Sequence, residues 1–295
     1  MNVVATIKPI HSLVAQVMGE VGEPRLLVSG AASPHTFSLK PSDARALNAA
    51  TVVFRVSEEI EPFTKRIVAS LPKSVTVVTL ADAPGLKLLD KRGGDTFETH
   101  DHGHDHDGHG HEHDHGHGKH VHGPVRDGHV WLDPQNAVAM VGEIARVLSA
   151  AEPDKASVFR ANAETAKAGI EAASKDIEAA LQPVRGKSFV VFHDAYQYFE
   201  SRFGMPAAGA ITVSPEVQPS AKRLGEIRRK IKDLNVSCVF AEPQFKSKLV
   251  ATVLEGTGAK SGTLDPEGAT LEPGPTAYTA LITNLARGLT SCLGT

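Results

Sequence analysis

Short runs of β-branched residues alternate with helical stretches along nearly the whole chain, and this alternation restricts the fold more than any other feature. The runs cover residues 3–7, 25–28, 51–56 and 75–80 in the first half, and 188–192, 207–211, 236–241 and 261–264 in the second. Strands separated by helices of about ten residues or more build βα units and parallel sheets. Four strands in each half therefore predict an α/β protein of two similar lobes, each with a parallel four-stranded sheet.

Between the two sets of strands lies a helical region. Residues 134–151 read as one helix, opened by Asp133 as N-cap and Pro134 in the first turn. A second begins near Glu152-Pro153-Asp154 and runs to Pro183; about thirty residues would reach ~45 Å. Its alanine and charge content suits a partly exposed strut, so it reads as a rigid connector. The expected organisation is an N-terminal lobe over 1–152, a long linking helix over 153–182 and a C-terminal lobe over 183–295.

A net charge of −3 argues against nucleic-acid binding, which needs a basic surface. No apolar run approaches the ~18–20 residues needed to cross a bilayer, so the chain is not expected to span a membrane. Met1 leads straight into a strand-like run with no basic region and apolar stretch before it, which suits a cytoplasmic protein or a mature exported one with a replacement start methionine. The two cysteines, Cys238 in a strand-like run and Cys292 near the end of the last helix, leave two readings open. They could be a bridge suited to an oxidising compartment or two buried thiols in the cytosol.

One segment breaks the pattern. Residues 89–128 are Gly, His and Asp with almost no apolar side chains. Such a stretch cannot bury enough surface to offset the entropy of ordering, so a disordered loop over about 90–128 is expected. Eleven of the fifteen histidines lie in it: His100, His102, His104, His106, His109, His111, His113, His115, His117, His120 and His122. Residues 111–115, HEHDH, match the metalloprotease pattern H-E-x-x-H. That motif needs a stable helix placing both imidazoles on one face, and the surrounding glycines and missing apolar face rule such a helix out. Closely spaced imidazoles on a flexible chain suit several weak, pH-dependent metal sites, an auxiliary element that collects or senses zinc. A plain solvated spacer is the alternative.

Four histidines remain: His11, His35, His129 and His193. His35 follows a strand and precedes the helix begun at Pro41; His129 precedes another helix start; His193 ends a strand. Asp265 also follows a strand. In open α/β sheets this edge binds ligands, and imidazoles plus a carboxylate suit tetrahedral Zn²⁺. Taken singly, each has an ordinary role as a cap or turn residue; together, two from each half, they form a candidate centre. His11 fits a first helical turn, placed around the centre or on the cleft rim. Histidine-rich ligation favours zinc over harder metals, with copper and nickel as competitors.

The segments PHTFSLKPSD, HVWLDP, FHDAYQYF, VSPEVQPSAKRL, CVFAEPQF and GTLDPEG resemble the periplasmic zinc-binding proteins of bacterial ABC importers, the ZnuA-like members of the metal-binding cluster. The similarity runs from Ile7 to Cys292. It implies two α/β lobes joined by a long helix, a metal site in the cleft between them, a His-rich loop nearby and a disulfide in the second lobe, Cys238–Cys292. Carried over position by position, it implies His35, His129 and His193 as metal ligands. Some zinc-binding members place Glu just before the first of these histidines; here that position is Pro34. The fourth ligand is therefore left among Asp265, a water and a loop histidine, with Glu61 a weaker candidate read as a surface residue.

The resemblance implies a monomeric, non-enzymatic receptor, periplasmic, delivering Zn²⁺ to a membrane permease and its ATPase. A zinc hydrolase with Asp194 or Asp265 as base, a manganese-binding homologue, and an adhesin or metal buffer are the alternatives.

Overall fold

The computed structural model describes residues 1–92, 125–212, 215, 218–245 and 248–294. The first sheet contains β1 (Val3–Ala5), β2 (Arg25–Leu26), β3 (Val52–Arg55) and β4 (Thr76–Thr79); the second contains β5 (Phe189–His193), β6 (Gly209–Thr212), β7 (Cys238–Ala241) and β8 (Lys260–Thr263). Their spatial orders are β2-β1-β3-β4 and β6-β5-β7-β8, so both sheets follow the same second-first-third-fourth winding. All the pairings are parallel. All eight expected strands are present, each trimmed or shifted by one or two residues at its ends.

The helices of the first half are α1 (Lys8–Met18), α2 (Pro41–Asn48) and α3 (Thr64–Ser70). Two long helices follow, α4 (Pro134–Ala151) and α5 (Ala156–Leu181). The second half adds α6 (Gln197–Phe203), α7 (Ala221–Asp233), α8 (Lys248–Leu254) and α9 (Ala277–Leu293). Helix α4 begins where its signals put it: Asp133 Oδ1 accepts a hydrogen bond from the Gln135 amide and Pro134 occupies the first turn. The connector is shorter than expected. Its α-helical part has 26 residues, with single 3₁₀ turns at 153–155 and 182–184, because Pro153 and Pro183 tighten both ends.

Alternation along the strands sorts the core. Val3, Ala5, Val52 and Phe54 on one face of the first sheet, and Phe189, Val191 and Phe240 on one face of the second, join a single apolar interior with residues of α1, α4, α5 and α9. The opposite faces feed two smaller clusters, Val4, Val53, Leu27 and Leu47 in the first half, and Val190, Phe192, Val239 and Ile227 in the second. The halves are thus fused through one core containing Phe159, Ile170 and Leu181 of α5. Cys238 on β7 and Cys292 on α9 are disulfide-bonded, with Cα atoms 6.2 Å apart, which settles the open choice between bridge and free thiols. No helix among the described residues is long and apolar enough to cross a membrane.

The edges of the stretch expected to be disordered are paired. The Lys91 amide donates to Val125 O (2.8 Å), the Asp127 amide donates to Leu89 O (2.9 Å), and Asp90 and Arg126 form an antiparallel bridge. Backbone hydrogen bonding needs no apolar side chains, so composition alone could not mark this boundary. Residues 93–124, and with them the eleven clustered histidines, lie outside the described residues.

Candidate metal centre

Three chain segments bring three imidazoles together. His35 lies in the single 3₁₀ turn Pro34–Thr36 that follows β2. His129 enters just before a 3₁₀ turn, Val130–Leu132, that leads into α4. His193 is the last residue of β5, the strand at which the second sheet changes winding direction. One ligating atom from each lies within 4.8 Å of the other two. Ring centroids are separated by 5.4 Å (His35–His129), 5.9 Å (His35–His193) and 5.3 Å (His129–His193).

Carboxylates set the tautomers. His129 Nδ1 donates to Asp127 Oδ1 at 2.7 Å, and the same oxygen accepts the His129 amide at 3.0 Å. His193 Nδ1 faces both oxygens of Glu242 at 2.7 Å, and Glu242 also accepts the Tyr196 hydroxyl at 3.1 Å. A carboxylate only accepts, so each Nδ1 carries the proton and each Nε2 keeps its lone pair. Those two Nε2 atoms stand 3.4 Å apart. Two nitrogens bound to one tetrahedral Zn²⁺ at the usual bond length lie about 3.3–3.4 Å from each other.

Burial and neighbours tune the rings differently. His35 is pushed down to about 2, mainly by burial and then by the adjacent His129 and His193, so it is neutral and ready to ligate at ordinary pH. Burial also opposes a charge on His193, but the Glu242 carboxylate outweighs it and lifts His193 above its ordinary value. Gly128 lets the His129 segment sit close to its neighbours, since a Cβ there would fall 2.6 Å from Ile60. Trp131 packs on the His129 ring at 5.4 Å and donates from Nε1 to Pro266 O at 2.9 Å, tying the segment to the second half.

Asp265 does not join the three-histidine group. Its carboxylate accepts from Gln244 Nε2 (2.8 Å) and the Glu267 amide (3.2 Å), organising the loop after β8. Glu61 is not a surface residue. It is fully buried and accepts hydrogen bonds from the Val56 amide, the Ser57 amide and the Thr6 hydroxyl; burial raises it to about 7. The apolar flank Ile60 and Phe63 carries it inward. His11 is turned away, with Nε2 on Pro24 O at 2.9 Å, and lines a separate cleft of about 630 Å³ with Asn162, Pro273 and Pro275. Asp194, considered as a hydrolytic base, is held by the Arg92 guanidinium.

Sequence reasoning missed Asp127 and Glu242. The first stands two residues before His129, and the second lies in the quoted run CVFAEPQF next to the end of β7; D-x-H spacing and a glutamate at the neighbouring strand end were the available signals.

Two matching parallel sheets fused by a helical layer, with imidazoles from both halves gathered between them, define a metal-capturing solute receptor. Residues 3–292 match the family described as zinc-uptake complex component A, periplasmic (ZnuA), and the chain belongs to that family. Its relatives include the high-affinity zinc uptake system protein ZnuA of Brucella abortus, 48% identical over 99% of this chain and 91% of that protein. The protein of the same description from Paracoccus denitrificans is 40% identical over 99% of this chain and 92% of its own length. Among solved structures, the laminin-binding protein of Streptococcus agalactiae, described as bifunctional with adhesin and metal-transporting activity, superposes with a TM-score of 0.77. It is 26% identical and covers 98% of this chain and 99% of its own. Family membership makes this chain a zinc-binding receptor of ABC-type zinc uptake and not an enzyme, which removes the hydrolase alternative.

Proposed function

We propose that His35, His129 and His193 capture one Zn²⁺ as cargo, with His129 and His193 ligating through Nε2. The fourth position is taken by water or, after a shift of the β8 loop, by Asp265. The receptor acts as a monomer in the periplasm and hands the ion to a membrane permease driven by an ATPase, while the histidines between His100 and His122 collect zinc nearby. The working units are residues 1–152, the connector 153–182 and residues 183–295. The observation that carries this reading is the 3.4 Å approach of two Nε2 atoms whose opposite nitrogens are held by carboxylates. An all-imidazole set favours zinc over manganese, which prefers oxygen donors.

The test is a competition titration with a zinc chelator. The intact protein takes one tight equivalent. H35A, H129A and H193A each weaken it by about a hundredfold or more, since a zinc site of ~10–16 kcal/mol is shared among about four ligands. Near-normal affinity in any one variant removes that residue from the set. D265N separates the two fourth-ligand choices: a loss of similar size assigns Asp265, and an unchanged constant assigns water.

A further inference from the structure

His129 and His193 come from different halves of the chain, yet their Nε2 atoms stand 3.4 Å apart. Some part of the fold must hold the two segments in that register. We infer that α6, gripped by residues 87–92 and 125–133, is an inter-lobe clasp that fixes His129 against His193 before the metal arrives, and that Arg92 is its positioning residue.

The clasp is built from both sides. Arg92 Nε donates to Asp194 Oδ1 (3.0 Å) and Oδ2 (3.2 Å), while its terminal nitrogens donate to Glu200 Oε2 (2.8 Å) and Oε1 (2.9 Å). Asp194 is the residue after His193 in the chain, and Glu200 lies on α6. One guanidinium therefore spans the turn that leaves β5 and the helix that follows it. The three side chains are 19%, 9% and 6% exposed. Without the arginine, two shielded carboxylates would lose the counter-charge that bridges them. The segment carrying Arg92 is laced to the His129 segment by the Lys91–Val125 and Asp127–Leu89 backbone bonds.

Tyr198 on α6 completes the link. Its hydroxyl accepts the Leu89 amide at 3.0 Å and donates to Asp127 O at 2.9 Å, and Asp127 holds His129. Further along, Arg202 forks onto Asp133 at 2.6 and 2.9 Å, and Lys87 Nζ reaches Ser201 Oγ at 2.8 Å. From His193 to His129 the path thus runs through Asp194, Arg92, the paired backbone and Asp127. Binding to a pair already in place avoids the cost of ordering it, which strengthens capture.

This inference rests on the zinc-receptor reading, and the test separates the two. Hydrogen exchange of the wild-type protein, metal-free and zinc-loaded, comes first. The amides of 87–92, 125–133 and 194–203 should be equally protected in both states. R92Q should lose that protection when metal-free and regain it with zinc, while its zinc affinity falls about tenfold at unchanged stoichiometry. E200Q should do the same, and the double variant should lose no more than about the larger single loss, because both break one network. Wild-type protein that protects α6 only after zinc is added overturns the clasp. So does wild-type affinity in both variants. Should R92Q fail to fold, the wild-type exchange comparison and E200Q still decide. Failure of the wild-type protein to bind one tight zinc strikes the functional reading instead, and the metal-free protection pattern remains readable.

Discussion

Replacing both cysteines by alanine gives a sharp test of how the second half is held. The disulfide joins positions 54 residues apart, from the buried strand β7 to α9. Closing a loop of that length removes about 14 cal/mol/K from the unfolded chain, or about 4 kcal/mol at 25 °C. Loss of two buried sulfurs adds a smaller cavity cost. At about 2.1 cal/mol/K per residue the whole chain has an unfolding entropy near 0.6 kcal/mol/K, so Tm should fall by about 6–7 °C in C238A/C292A. Calorimetry should be run on metal-free protein, since bound zinc would raise both midpoints by mass action. Mass spectrometry of the wild type before and after reduction confirms the bridge. The closed span carries Glu242 and Asp265, but β7 is also paired to β5 and β8, so zinc affinity should change by less than about threefold, the factor that ~0.6 kcal/mol produces. A drop in Tm below about 2 °C would refute the chain-entropy reasoning, and a large loss of affinity would show that the bridge shapes the site.

Glu242→Gln keeps the shape of the side chain but weakens the hold on His193 Nδ1; zinc affinity should fall about ten- to a hundredfold, measured by chelator competition, and an unchanged value would remove Glu242 from the orienting role. Acid should release zinc. The raised His193 titrates above 6.5, so below that point its Nε2 is increasingly protonated and affinity should fall by about tenfold per pH unit from this group. His35, at about 2, adds no proton competition over the same range, and a profile flat from pH 7 to 5 would contradict the assignment. Deleting residues 95–123 spares the Val125 carbonyl that pairs with Lys91. The shortened protein should bind fewer zinc ions by equilibrium dialysis while keeping one tight site, and loss of that site would reverse the roles given to cleft and loop.

The strands were legible because β-branched residues cluster where a parallel sheet is buried on both faces, and α4 because Asp133-Pro134 is a start signal with a direct backbone consequence. Parallel winding also made His35 and His193, which follow or end strands, and His129, at a helix entrance, readable as neighbours, although nothing in their spacing encoded a 3.4 Å approach. The groups behind them were harder to see. Glu61 follows a run of charges and looks exposed, yet the chain turns it inward onto the Val56 and Ser57 amides. Asp127 and Arg92 border a segment whose composition suggests no order at all, and their roles depend on partners 71 to 108 residues away, on α6 and in the turn before it. Long-range polar pairing of that kind leaves no periodic trace in a sequence.

The single interior shared by both sheets limits how the ion can be unloaded. Prying the halves apart like a hinged case would wet Trp131, Phe159, Phe199 and Leu285, which are all shielded together. At about 1.5–3 kcal/mol for each, that cost rivals the entire folding stability of an ordinary domain. Whatever empties the site must therefore act on loops and rings at its mouth, nudging donors off the cation while the body of the molecule stays shut.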